Sequence, residues 1–461
     1  MTARLWAPRA WLADGWRENV LLEVAANNTW SAVTAGVTPP PADAMVLGGP
    51  VLPGLVNAHS HAFQRAFAGL AERREGDSDD FWSWRDQMYR VALRMTPEQL
   101  RAIAAHLYIE LLRGGYSQVC EFHYLQHRED GGPHDDPLAM SWALAEAARD
   151  AGIGLTLLPV LYERAGFAQP ALRADQQRFA TTPDSVWDMQ RRIARAGTPM
   201  INTGVAIHSL RAATPASIIR LRALAEDWDG PIHIHVAEQV QEVEDCLAAT
   251  GERPIEWLSR TGLLDARWQL VHATHVTPAE IDAVAGSAAG IVLCPSTEAN
   301  LGDGLTDLPS WLASGVPLSL GSDSHVTRAW REELRLLEYG QRLVRRERNV
   351  SAAPDVGEPS TAARLWSRVV RGGAHAAGFG RWGLVAGARA DLVVVDLRDH
   401  ALLGVPASHL LDALVFSSPG RPWRDVMVAG QFVVREHRHA GAESVATRFE
   451  AAMQALWEGD R

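Results

Sequence analysis

Two histidines stand two residues apart in GLVNAHSHAFQRAFAG, residues 54–69, directly after a short apolar run. On an extended strand, positions i and i+2 face the same side, so the imidazoles of His59 and His61 converge. Converging imidazoles suit a transition metal such as zinc, whose other ligands must come from elsewhere in the chain. Three stretches offer them. PIHIHVAEQ carries His233 and His235 with Glu238 three residues further on, WQLVHATHVT sets His272 at a strand end, and GSDSHV places Asp323 at the end of another strand. A strand end whose rings bond only their neighbours would account for any one of these, but hardly for the ordered set.

Such residues need a scaffold that aims them at one point. Eight short apolar runs follow one another from residue 51: VLPGLVNAH, YSQVCEFHY, IGLTLLPVLY, MINTGVAIHS, PIHIHVAEQ, WQLVHATH, GIVLCPSTE and VPLSLGSDS. Most are too continuously apolar for half-exposed strands, as expected where both faces are covered. Helical segments separate them. TPEQLRAIAAHLYIELLRGG opens with Thr96 as N-cap and Pro97 at the first helical position and ends at Gly114-Gly115; TPASIIRLRALAEDWDG and TPAEIDAVAGSAAG begin the same way. Eight strand–helix units predict an α/β fold, a (β/α)8 TIM-type barrel, in which chemistry sits at the C-terminal ends of the strands. Nearly every His and Asp singled out above falls there.

The flanks read differently. Residues 1–52 and 383–461 hold short alternating runs, ADLVVVDLRD and RDVMVAGQFVVREH among them, with a hairpin turn at Val-Ala-Gly-Gln-Phe and a last helix in ESVATRFEAAMQALWEG. The expected organisation is a small β-sandwich domain built from both ends around a catalytic barrel over 53–382. NVSAAPDVGEPS, 349–360, reads as a surface loop.

Composition sets bounds on the chemistry. Of 461 residues, 47% are hydrophobic and 21% charged, an ordinary globular balance. A formal net charge of −11 argues against nucleic acid or an anionic membrane as partner. Cys120, Cys246 and Cys294 lie far apart with no CxxC pair, which fits a reducing cytoplasm. The stretch MTARLWAPRAWLADGWREN is broken by charges and prolines, so no signal peptide is expected, and no later run is long enough to span a bilayer. All 44 basic residues are arginine and there is no lysine. Schiff-base chemistry and a Walker-type phosphate loop are therefore excluded, and an anionic substrate must be held by arginine, histidine, hydroxyls or backbone amides.

NAHSHAFQRAFAG, FWSWRDQMY (81–89), CEFHYLQH, AIHSLRA, HIHVAEQ, VHATHV and CPSTEANLGDG together make the chain resemble the amidohydrolase superfamily over essentially its whole length. Within it, they resemble the mononuclear deaminase branch and the family of deiminases that act on N-formimino-L-glutamate. The resemblance implies one divalent metal per chain, zinc first on donor type although iron or manganese also accept these donors, held by His59, His61, His235 and Asp323. It implies attack of activated water on the formimino carbon, giving N-formyl-L-glutamate and ammonia. In that scheme Asp323 accepts the water's proton, His272 hydrogen-bonds the attacking and developing oxygen, and Glu238 protonates a substrate nitrogen. Gln64, Arg85, Tyr124, His208 and Arg211 would form the shell around a small dicarboxylate amidine. His233 is read as packed rather than ligating, and His275 as structural. A homodimer is compatible with the resemblance.

Many barrels of this superfamily bridge two metals with a carboxylated lysine at the end of the fourth strand. A chain without lysine, ending that strand in AIHSLR, is expected to hold a single ion. Thr297 and Glu298 stand near the place where nucleobase deaminases tend to show Ser-Asn, which disfavours a flat purine or pyrimidine. The alternatives are a deaminase of another guanidino or amidino acid, or of a heterocycle such as guanine, and a barrel that has lost catalysis. The last is disfavoured because all four ligand candidates, Glu238 and His272 are present. The aromatic residues Phe81, Trp82 and Trp84, at near-helical spacing, are expected to pack rather than to stack a base.

Overall fold

The computed structural model describes residues 3–13, 15–74 and 81–458; the side chains of Phe81 and Trp82 lie outside the described set. Eight parallel strands form the central sheet: Leu55–Ser60, Tyr116–His123, Gly154–Leu161, Val205–Ile207, Ile232–Val236, Trp268–His272, Gly290–Leu293 and Leu318–Leu320. All of these positions are buried, which explains why the sequence shows apolar runs and not alternation. The first and last strands close the ring at its mouth. Asp323 N donates to His59 O at 3.1 Å and His61 N to Asp323 O at 3.3 Å. Barrel closure is thus made by the backbone of residues singled out for chemistry.

The fourth run is not one strand. Ile201–Thr203 pairs with the third barrel strand, the chain breaks at Gly204, and Val205–Ile207 then pairs with both the third and fifth strands. A side chain at position 204 would meet Pro231 O at 2.6 Å, so only glycine allows this approach. The helix starts follow the Thr-Pro signals. Thr96 Oγ1 accepts from Gln99 N while Gln99 Oε1 accepts from Thr96 N, capping the helix Pro97–Arg113. Thr277 and Glu280 cap Pro278–Ser287 in the same manner, and at Pro215–Leu224 Thr214 Oγ1 accepts from Ser217 N while the Thr214 N–H donates to Glu163.

Both chain ends enter one nine-stranded mixed sheet. Ala3–Leu12 and Gly15–Val24 form a hairpin, and Trp423–Val428 and Gln431–Arg435 form another, turning through Ala429 and Gly430 at φ 47° and 75°. Val51–Leu52 joins the two halves by pairing with Leu392–Val395, and the chain crosses to the barrel at Pro53-Gly54. This sheet has its own core of Leu5, Val20, Leu22, Trp30, Leu392 and Met427. The last helix, Ala442–Trp457, lies against the barrel instead. Phe449 stacks on His106 at 4.2 Å, and the Trp457 indole donates to Ala66 O at 3.2 Å. Residues 349–360 form a loop with one short 3-10 turn, Pro354–Val356. The three cysteines are buried and unpaired, and no helix among the described residues is long and apolar enough to cross a membrane.

Candidate metal centre and substrate cavity

His59 lies on the first barrel strand and His61 just past its end; their Nε2 atoms are 3.2 Å apart. His235 reaches in from the fifth strand, its Nε2 3.0 Å from that of His59. Asp323 Oδ1, just past the eighth strand, is 3.5 Å from the Nε2 of both His59 and His61. Four donors around a centre at metal–ligand lengths of ~2.0–2.1 Å would stand about 3.3 Å apart if tetrahedral, and the four separations straddle that value. The His61 Nδ1 proton is directed to Phe122 O at 2.8 Å, which leaves the Nε2 lone pair facing the centre. Burial pushes the His59 imidazole down to about 3 and also lowers His61 and His235, so all three rings are neutral donors. Burial alone would raise the Asp323 carboxyl, but the His59, His61 and His272 rings outweigh it and hold the group well below the usual carboxylate range. Three neutral imidazoles and one carboxylate gathered around one point are the donor chemistry of a divalent cation site.

Beside these donors, His272 closes the sixth strand in a left-handed backbone conformation, φ 72°, followed by Ala273 at φ 48°. Ala237 at φ 52° and Asp323 at φ 43° do the same after the fifth and eighth strands. Strained backbone of this kind holds side chains that a regular strand would point elsewhere. His272 Nε2 sits 3.6 Å from Glu238 Oε1 and 3.8 Å from Asp323 Oδ2, and its Nδ1 3.4 Å from Glu298 Oε1. Burial would lower His272, but Glu238, Glu298 and Asp323 together push it up to about 10. Burial pushes the Glu238 carboxyl up to about 7, with Asp323 and Glu242 adding to the effect. A carboxyl and an imidazole that are both raised can hold and release protons on the same face of the donor set.

The cavity continues away from the donors to a cationic end. Arg85, on the helix Phe81–Ala92, and Arg211, just past the fourth strand, both line it. Burial lowers Arg85, and the guanidiniums of Arg211 and Arg173 act in the same direction. Like charges gathered in a partly buried cavity favour an anion between them. Gln64, in the 3-10 turn Ala62–Ala66, points its Nε2 at the Tyr124 hydroxyl 3.4 Å away. Tyr124 packs edge-on against His61 and His208, ring centres 5.1 and 5.6 Å away. Every residue that the sequence assigned to the shell, Gln64, Arg85, Tyr124, His208 and Arg211, borders the one cavity that also contains His61, His235, Glu238, His272 and Asp323; His59 lies beneath.

His233 turns away from this cavity and bonds Ala376 O at 2.8 Å, and half-buried His275 is not among the lining residues. Trp84 lines the cavity with Met88 and packs on Phe67 at 5.5 Å. Phe81 and Trp82 lie outside the described side chains. Two contributors escaped the sequence reading. Glu298, which also accepts the Cys294 N–H at 2.9 Å, bonds the far side of His272. Tyr162 ends the third barrel strand in the cavity wall. A polar residue at the C-terminal end of a run, the signal used for His272, was available for Tyr162 as well.

The sequence profile of the amidohydrolase family matches residues 51–433. The chain is 46% identical to a formimidoylglutamate deiminase of Pseudomonas aeruginosa, over 98% of this chain and 99% of that protein. The chain belongs to the amidohydrolase family. A crystal structure of an amidohydrolase from Brucella melitensis superposes with a TM-score of 0.92 at 42% identity, covering 98% of this chain and 99% of that one. A 5-methylthioadenosine/S-adenosylhomocysteine deaminase of Natronomonas pharaonis is 29% identical over 89% of this chain and 88% of that protein.

Proposed function

We propose that the protein catalyses the hydrolytic deimination of N-formimino-L-glutamate to N-formyl-L-glutamate and ammonia. One observation carries this reading: the inward-facing donor set and the Arg85–Arg211 pair share a single cavity, matching an amidine carbon at one end of a substrate and carboxylates at the other. The full-length similarity to a formimidoylglutamate deiminase supports the same choice.

His59, His61, His235 and Asp323 would hold one divalent ion, zinc by preference for imidazole and carboxylate donors. Such an ion supplies a water activated at neutral pH. Asp323 Oδ2, facing His272 and not the imidazole donors, takes up a proton from the nucleophile. His272, kept cationic by its three carboxylate neighbours, donates from Nε2 toward the oxygen that gains negative charge. Glu238, protonated in part near neutral pH, delivers its proton to the departing nitrogen so that it leaves as ammonia. Gln64, Tyr124 and His208 orient the substrate beside the donors, and Arg85 and Arg211 bind its carboxylates in bidentate fashion.

Incubating the metal-loaded protein with N-formimino-L-glutamate and identifying the products tests the proposal. Ammonia and formylglutamate are expected. Formamide and glutamate would mean cleavage of the other C–N bond, and no reaction would refute the substrate assignment.

A further inference from the structure

At the arginine end of the cavity lies a hydrogen-bond network that the reading above leaves unused. Gln176, fully buried in the 3-10 turn Ala174–Phe179, points Nε2 at two phenols, 3.2 Å from the Tyr89 hydroxyl and 3.1 Å from that of Tyr162. The two hydroxyls are 3.4 Å apart. The orientation of the amide is fixed from its other side, because Gln176 Oε1 accepts the Arg173 N–H at 3.1 Å.

Nε2 therefore brings one proton to each phenol oxygen. The phenols carry one proton each of their own. One of these passes between the hydroxyls; the other has no acceptor among the described residues. Tyr89 and Tyr162 are both buried and both line the cavity, so this O–H faces the space that a substrate occupies. A buried donor without an acceptor is costly, and one polarised by accepting from two neighbours is a strengthened donor.

The surroundings decide which phenol holds it. Tyr162 follows the third barrel strand, its ring edge-on to His208 at 4.5 Å, and the charges of both Arg85 and Arg211 act on its hydroxyl. Tyr89 lies one helical turn beyond Arg85 and offers its ring face to the Arg85 and Arg173 guanidiniums, each 5.6 Å away. Tyr162 thus lies under the influence of both guanidiniums assigned to the carboxylates, whereas Tyr89 is engaged through its ring face with Arg85 and Arg173. We propose that Tyr162 is a substrate-binding residue whose hydroxyl, accepting from Gln176 and Tyr89, donates its own proton to a substrate carboxylate beside Arg85 and Arg211. The proposal rests on the dicarboxylate reading given above and adds a neutral donor to its clamp.

Steady-state kinetics of the metal-loaded wild type, Tyr162→Phe and Tyr89→Phe test it. The substrates are N-formimino-L-glutamate, N-formimino-4-aminobutanoate and N-formimino-L-2-aminobutanoate, the last two each lacking one carboxylate. Tyr162→Phe should raise KM for formimino-glutamate about tenfold or more with kcat within about threefold, as loss of a hydrogen bond to a charged group implies. Tyr89→Phe leaves Tyr162 its own proton and should cost about threefold or less. The Tyr162→Phe penalty should vanish for one of the two monocarboxylates and persist for the other. An unchanged KM, equal penalties on both monocarboxylates, or a larger loss in Tyr89→Phe would each overturn the assignment. Should Tyr162→Phe fail to fold, 3-fluorotyrosine placed at 162 keeps the shape, and its fluorine resonance should move on titration with glutarate further than one placed at 89; a smaller or absent shift at 162 would equally refute it. Wild-type protein inert toward formimino-glutamate would instead refute the reading on which the proposal stands.

Discussion

The two ends of the cavity are built by different means. At the donor end, His59, His61, His235, His272 and Asp323 stand on or just past barrel strands, and the backbone of His59, His61 and Asp323 also closes the barrel. At the cationic end, Arg85 comes from a helix between the first two strands, Arg211 from the turn after the fourth, and Gln176 from a 3-10 turn after the third. The donor end is therefore as rigid as the fold itself, whereas the cationic end depends on packing between connections. Chemistry needs sub-ångström placement and is put on strands; substrate selection tolerates variation and is put on loops.

That contrast can be broken by mutation. The largest effect should come from the donor end: Glu238→Gln or His272→Asn should lower kcat by ~10²–10⁴-fold while metal content stays near one equivalent by elemental analysis. Normal turnover in both variants would refute their roles. Removing a donor, His61→Ala, should abolish tight metal retention through gel filtration. Chelator-washed wild type should plateau at one ion per chain, with no dependence on bicarbonate during reconstitution, since no lysine is present to be carboxylated. A second tightly bound, activating equivalent would contradict a mononuclear site.

Changes at the cationic end should be smaller and of a different kind. Arg85→Met and Arg211→Met should each lower kcat/KM by roughly 10- to 100-fold, mainly through KM, with metal content unchanged. If neutral formamidines react as well as formimino-glutamate, the two ends are not the matched pair described here.

The smallest effect should come from the joint between barrel and turn. Glu110 is bonded by Arg65 at 2.7 Å, which ties the turn bearing Gln64 to the helix Pro97–Arg113. Burial would raise Glu110, but His106, Arg65 and Arg328 outweigh it and bring the carboxyl down to about 2. A folded-state value below the ordinary one stabilises the fold fully above pH 4.5, and that stability is lost as pH falls through about 2. Glu110→Gln should thus cost about 1–3 kcal/mol in urea unfolding at pH 6–7, and the gap from wild type should narrow steadily below pH 4.5. A gap independent of pH would assign the loss to packing alone.

The same division explains what was legible in the sequence. Strand ends announce themselves, because an apolar run stopping at His, Asp or Glu is visible in one dimension; His235, His272 and Asp323 were found that way. The break at Gly204 was not visible, since the run MINTGVAIHS keeps its apolar character across the glycine, and only the approach of Pro231 reveals why it is there. Arg85 could be reached only through resemblance, as an arginine on an amphipathic helix looks like any surface ion pair. Gln176 gave no signal at all. Its significance is a matter of two phenols brought within 3.2 Å by segments far apart in the chain.

The small sheet shared by the chain ends has a consequence for how the protein is made. Val51 and Leu52 find their partners in Leu392–Val395, about 340 residues later. At ~5–20 residues per second, that interval on the ribosome lasts on the order of tens of seconds. Throughout it Val51–Leu52 lacks its neighbour on one side, although Ala3–Leu12 can already pair with Gly15–Val24, Met45–Val46 and Val51. The emerging chain therefore carries an open apolar edge while the barrel assembles behind it, and covering that edge is among the last events of folding.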